Sequence, residues 1–247
     1  MRRWYAWAVV AVVVGAPVST LAFELLRNSG NPCSADPNLR WDPARVAVDT
    51  SDLNGQYRPL ADEAREIWQR ELGSRFRFTS GAGRPCDVND GVTTIAFGDR
   101  DCQGMPFEGD ILAITVTSWI NNRIVDADVS FNEAVGLGDA AFRQVVMHEL
   151  GHVLGLDHSD ACGESGRGTL MNSRLTESLS APQADDLAGA RFIYPGGGNG
   201  NGDVPDGANA CSISDPRGDR AWPLALGLGL IGLCGRLFER KNRAAKR

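Results

Sequence analysis

The sequence predicts an α/β sandwich built on a mixed sheet, and three observations point to it. Segments with strand and helix patterning succeed one another as strand, helix, strands, helix, helix, an order that lays helices against a sheet. The clearest helical segment is amphipathic, so one of its faces needs a covering layer. Setting aside residues 1–22 and 195–247 leaves 172 residues, enough for one sizeable core and too few for two.

The elements follow in order. Val46–Asp49 alternates like a strand. Leu60, Ala64, Ile67, Trp68 and Leu72 recur at helical spacing with charges between them, which predicts a helix over Leu60–Leu72 ending at Gly73. Phe76–Thr79, Val92–Phe97, Ile111–Thr117 and Ile124–Phe131 are rich in β-branched and aromatic residues and read as strands. Asp139 reads as the cap of a helix through Leu154, and Ser180 as the cap of a last helix through Phe192. No internal repeat is visible.

Both ends read as targeting segments. Met1-Arg2-Arg3, the apolar run Ala8–Val14 and the small residues Thr20 and Ala22 form the three parts of a signal peptide over residues 1–22, with an uncleaved anchor as the competing reading. At the other end, Pro195–Asn209 is a Gly/Asn/Pro/Asp stretch without surface to bury. Ala221–Gly235 is then free of charge for 15 residues and is followed by a basic tail. The expected organisation is a signal peptide (1–22), an N-terminal segment (23–39), a main domain (40–195), a linker (196–220) and a hydrophobic run with basic tail (221–247). Linker, Cys211, weak apolar run and basic end together resemble the myxobacterial type of C-terminal sorting signal, which makes Cys211 the expected site of processing or attachment. A single-pass anchor is the alternative, contacting the membrane through the same run. The protein is accordingly expected outside the cytoplasm, at the cell surface or released.

Composition narrows the function. With 43% hydrophobic and 23% charged residues the chain is neither disordered nor collagen-like. Residues 24–216 carry 15 basic and 29 acidic side chains, a field that repels phosphate backbones and excludes nucleic acid as the expected partner. Cys33, Cys86, Cys102 and Cys162 lie within the domain. Export implies an oxidising compartment, and of the three pairings open to four cysteines, Cys86–Cys102 with Cys33–Cys162 is favoured.

The chemistry sits in H148-E-L-G-H-V-L-G-L-D-H158, which contains all 3 histidines of the chain. An offset of four puts His148 and His152 on one helix face, and Gly155 lets the chain leave the helix so that His158 can turn back toward them. Three neutral imidazoles suit Zn²⁺ and leave a fourth position for water. Glu149, beside the first histidine, is placed to act as general base and then acid in zinc-assisted hydrolysis. Chance placement of three histidines at these offsets is on the order of one in 10⁴.

HELGHVLGLDHS at 148–159 resembles the zinc signature of the metzincin metallopeptidases, and the serine after the third histidine resembles the matrixin branch. Thr169-Leu170-Met171-Asn172 resembles the Met-turn, which implies that Met171 underlies the metal; a plain core role is the alternative. The resemblance extends weakly over residues 40–195. It implies a metzincin-like sandwich of a twisted five-stranded sheet and three main helices. It also implies a substrate-binding edge strand at Leu112, Ala113 and Ile114, an extended peptide or protein as partner, and a pocket walled by Asn172–Leu179, with Arg174 or Leu175 shaping it. A monomer is expected.

Two departures from the family pattern matter. No histidine is left for a second, structural zinc, and Cys86–Cys102 is expected to secure the corresponding loop instead. An inhibitory prosegment of the usual kind is not expected from the residues before Arg40; Cys33 could cap the zinc, though a disulfide is favoured. Calcium has candidate ligands in Asp99, Asp101, Glu108, Asp110, Asp126 and Asp128, with a solvated acidic face as the competing reading for most of them. The leading expectation is an exported zinc endopeptidase. Its competitors are a non-catalytic, metal-stabilised adhesion or matrix-binding module and a zinc amidase.

Overall fold

The computed structural model describes residues 23–196 apart from 88, 164–165 and 176–177. The chain divides after Gly200 into two units, and the second, Asn201–Arg247, lies outside the described residues, as do the signal-peptide region, the apolar run and Cys211. No helix among the described residues is long and apolar enough to cross a membrane.

Five strands form the body of one sheet: β3 (Arg45–Asp49), β4 (Arg77–Ser80), β5 (Val92–Gly98), β6 (Ala113–Ile120) and β7 (Arg123–Asn132). A sixth, two-residue strand, β2 (Arg40–Trp41), runs parallel to the start of β7. The pairs β4–β3, β3–β5 and β5–β7 are parallel, and only β6 runs antiparallel, on the outer side of β7. The fold is therefore the expected α/β arrangement with a mixed sheet. A separate pair joins β1 (Glu24–Leu25) to β8 (Leu156–Asp157).

Three helices supply the other layer. In α1 (Tyr57–Leu72), Ala61, Ala64, Ile67, Trp68 and Leu72 are buried, which is the stripe the periodicity indicates with Ala61 added and Leu60 only partly covered. The helix starts one turn earlier than expected. Pro59 falls in its first turn, where a missing N–H costs nothing, and the Tyr57 ring packs 4.5 Å from that of Phe142. The Trp68 indole donates to the Met147 carbonyl at 2.8 Å, locking α1 to α2 (Asp139–Leu154). Gly138, not Asp139, caps α2, and the Asp139 carboxylate accepts instead from Gln56. The last helix, α3 (Ala184–Ile193), begins after Gln183 rather than Ser180. Pro182 disfavours helical geometry in the residue before it, and Gln183 and Asp186 form a reciprocal capping box that sets the start.

The edge strand is also displaced from its expected Ile111–Thr117. It begins at Ala113 because Ile111 and Leu112 are held by Asn132, whose side chain donates to the Ile111 carbonyl (3.0 Å) and whose backbone donates to that of Leu112 (2.9 Å). At its far end the hairpin to β7 turns through Asn121 and Asn122, both in left-handed backbone.

Residues 23–39 pack onto this domain. Leu25 and Leu39 are buried, Leu26 N–H donates to the Gly155 carbonyl, and the Trp119 indole donates to Asn28 Oδ1 at 2.9 Å. Cys33 is bonded to Cys162, and Cys86 to Cys102, the pairing favoured from the sequence. The second bond joins the loop before β5 to the loop after it, with both sulfurs beside the Ser130 hydroxyl.

Candidate metal centre

Helix α2 presents His148 and His152 one turn apart on the face toward the edge strand. Gly155 ends it in left-handed backbone, φ 100°, and a Cβ there would lie 2.7 Å from the Leu39 carbonyl oxygen, so no larger residue fits without displacing the N-terminal segment. The chain then passes through β8 and returns His158. The Nε2 atom of His152 lies 3.1 Å from that of His148 and 3.2 Å from that of His158.

These rings are prepared for a cation. His148 Nδ1 lies 2.8 Å from the Leu170 carbonyl and His152 Nδ1 2.9 Å from that of Leu156. A carbonyl only accepts, so both rings carry a proton on Nδ1, and in the neutral ring this leaves Nε2 as the inward-facing lone pair. Lone pairs facing one another at this spacing repel unless a positive charge lies between them. Four ligands at zinc–nitrogen distances place neighbouring nitrogens roughly 3.3 Å apart, close to the spacing observed. Burial, then the neighbouring imidazoles, hold His152 well below its ordinary pKa, and burial does the same to His158, so both are neutral as metal binding demands. Among the described residues these three form the only such cluster of potential ligands.

Glu149 is 5% exposed. Burial raises its pKa, against the opposing pull of His148 and of a 2.6 Å hydrogen bond donated by the Thr115 hydroxyl. Beneath the helix, Met171 is buried and a Cβ built at Gly151 would overlap its sulfur, so the glycine inside the histidine motif is the seat of the methionine.

Several supporting residues escaped the sequence reading. Asp186 accepts from the backbone N–H groups of Leu170, Met171 and Gln183, and so holds the turn whose Leu170 carbonyl orients His148. The spacing of Gln183 and Asp186 carried that signal as a capping box. Ser159 donates its N–H to the Met171 carbonyl and shares a hydrogen bond with Thr169 Oγ1 at 2.7 Å. Gln144, one turn before His148, accepts from Leu179 N–H at 3.0 Å and ties the far end of the 172–179 loop to α2.

A cleft of about 1100 Å³ runs past these groups. Its walls include Leu112, Ala113 and Ile114 on one side, Arg174 and Leu175 on another, and Arg27 from the N-terminal segment. Both proposed pocket-shaping residues therefore line it. Of the six acidic residues considered for calcium, Asp99, Glu108 and Asp110 are exposed and Asp101 organises its own loop by accepting from Gln103 and Met105. Asp126 and Asp128 are buried, and each leaves one carboxylate oxygen without a hydrogen-bond partner.

An α/β layer structure carrying two helix-borne histidines and a third returned by the following loop, beside an open sheet edge, defines a metallohydrolase-like site. The matrixin family (Peptidase_M10) matches residues 45–195, more than half of the chain. The chain belongs to the matrixin family, whose members are zinc-dependent metallopeptidases. It is also 26% identical over 164 residues to Metalloendoproteinase 2-MMP of Arabidopsis thaliana, a match covering 58% of this chain and 40% of that relative. The chain thus spans under half the length of that protein.

Proposed function

We propose that the chain is an exported zinc endopeptidase that cleaves extended segments of extracellular proteins. The observation that carries this reading is the convergence of three histidine Nε2 atoms next to Glu149, in a cleft bordered by a strand that, among the described residues, is paired on one side only. His148, His152 and His158 would hold the zinc, and bound there it supplies a Lewis acid and acidifies water toward neutral pH. Glu149 receives the proton of the attacking water and later delivers it to the leaving amine. The free edge of β6 receives peptide backbone by main-chain hydrogen bonds, so recognition tolerates many sequences and the pocket near Arg174 and Leu175 supplies preference. Met171 serves as the apolar floor under the histidines.

Export rests on the two disulfides, which suit an oxidising compartment, and on the signal-peptide pattern of residues 1–22. Cys211 is the proposed point of processing or attachment. For calcium, the buried pair Asp126 and Asp128 is the site to test.

The test is hydrolysis of casein or gelatin by the purified chain. Activity abolished by a chelator and restored by zinc, with Glu149→Ala keeping one zinc and losing activity about 100-fold or more, supports the reading. A chain that binds zinc stoichiometrically yet cleaves nothing is instead a metal-stabilised binding module.

A further inference from the structure

The hydroxyl of Thr115 stands 2.6 Å from Oε2 of Glu149 and 3.4 Å from the Glu149 backbone carbonyl. A threonine has one hydroxyl proton, and the shorter contact, to the carboxyl oxygen, takes it. Among the described residues this is the one hydrogen bond the Glu149 side chain makes with protein. The contact joins two elements 34 residues apart in sequence, the edge strand and the metal-bearing helix.

We propose that Thr115 is a positioning residue for Glu149, fixing the carboxylate so that Oε2 is occupied by the strand and Oε1 is left for the reacting water. The inference rests on the endopeptidase reading above and adds to it. A glutamate side chain has three rotatable bonds, and a buried carboxylate without a fixed partner samples orientations in which neither oxygen faces the cleft. A 1 Å misplacement at a reacting group costs up to about 100-fold in rate. Thr115 also contributes backbone to the very strand that would receive peptide, opposite Val129 in the register with β7. One residue then sets both the line along which substrate lies and the direction from which its proton acceptor points. Side chains alternate along a strand, so Ala113 and Thr117 share this face, while the Ile114 side chain leaves on the other.

The experiment compares Thr115→Val and Thr115→Ser with the unaltered full chain. Valine keeps the shape and removes the hydroxyl; serine keeps the hydroxyl. The proposal expects Thr115→Val to lower kcat about 10- to 100-fold while KM, zinc content and melting temperature hold, and Thr115→Ser to recover most of the loss. A crystal structure of zinc-free Thr115→Val should show the Glu149 carboxylate spread over several rotamers, and that of Thr115→Ser a single one. Thr115→Val with unchanged kcat, a loss carried by KM alone, or serine falling as far as valine would overturn the assignment. Glu149→Gln in the same assay separates the two readings. If it retains full activity, the endopeptidase mechanism itself falls. If it is inactive while Thr115→Val is fully active, only the role of Thr115 is lost.

Discussion

Gly151 and Met171 occupy one space: the methionine sulfur lies where a side chain at Gly151 would begin. Gly151→Ala should therefore force Met171 out of its seat against α2. Overpacking of this kind costs about 1–3 kcal/mol. The expected outcome is a lower melting temperature and weaker zinc binding, read by calorimetry and by competition with a chromogenic chelator. An alanine variant with native values for both would show that Met171 is free to move.

Asp186 is expected to matter to the metal although it never reaches it. Its carboxylate holds Leu170 and Met171 by their N–H groups, and the Leu170 carbonyl orients His148. Asp186→Ala leaves those donors buried without partners, at a cost of about 1–3 kcal/mol each. Loss of outer-shell support of this type weakens metal affinity about 10- to 100-fold. Zinc titration of the variant should show it.

Stability should depend on pH through Asp126. Burial, together with Asp128 and Asp90 nearby, raises its pKa to about 6. The raised value means that folding favours the protonated acid, so this contribution is complete at pH below about 4 and disappears as pH climbs through about 6. Asp126→Asn should remove that segment of the profile and raise the melting temperature at pH 7.5. The Asn89 N–H, which now donates to Asp126 Oδ2, keeps an acceptor in the amide. Calcium that raised the melting temperature of the unaltered chain, and not of Asp126→Asn, would identify the carboxylate pair as a cation site.

The Cys33–Cys162 bond closes a loop across a sequence separation of 129. Replacing both cysteines by serine should cost about 2–5 kcal/mol through the freedom returned to the unfolded chain. Leu25 and Leu39 remain buried anchors, so the domain should still fold, with faster proteolysis between them as the measurable sign.

The histidine triad was legible because helix geometry converts an offset of four directly into a shared face, and Gly155 announces the exit. The strands of the sheet were legible for a similar reason, since alternation and β-branching mark them locally. What stayed hidden joins distant positions. Nothing in the neighbourhood of Thr115 points to Glu149, and nothing around Asn28 points to Trp119, because each contact joins segments that meet only once the chain has folded. The helix starts were misread for a different cause: Ser180 is an attractive cap in isolation, but Pro182 and the Gln183–Asp186 box decide the matter two to three residues later.

The N-terminal segment has a practical bearing on any shortened version of this protein. Cutting the gene to the span that matches the family, 45–195, would discard Leu25, Leu39 and β1, strand Leu156–Asp157 of its pairing and leave Cys162 an odd thiol. The same cut would take away Arg27 and the carboxamide that meets Trp119, removing part of one bank of the channel. A recombinant fragment beginning at Arg45 would thus report on a wider, looser groove than the native one, and its substrate preferences would belong to the truncation.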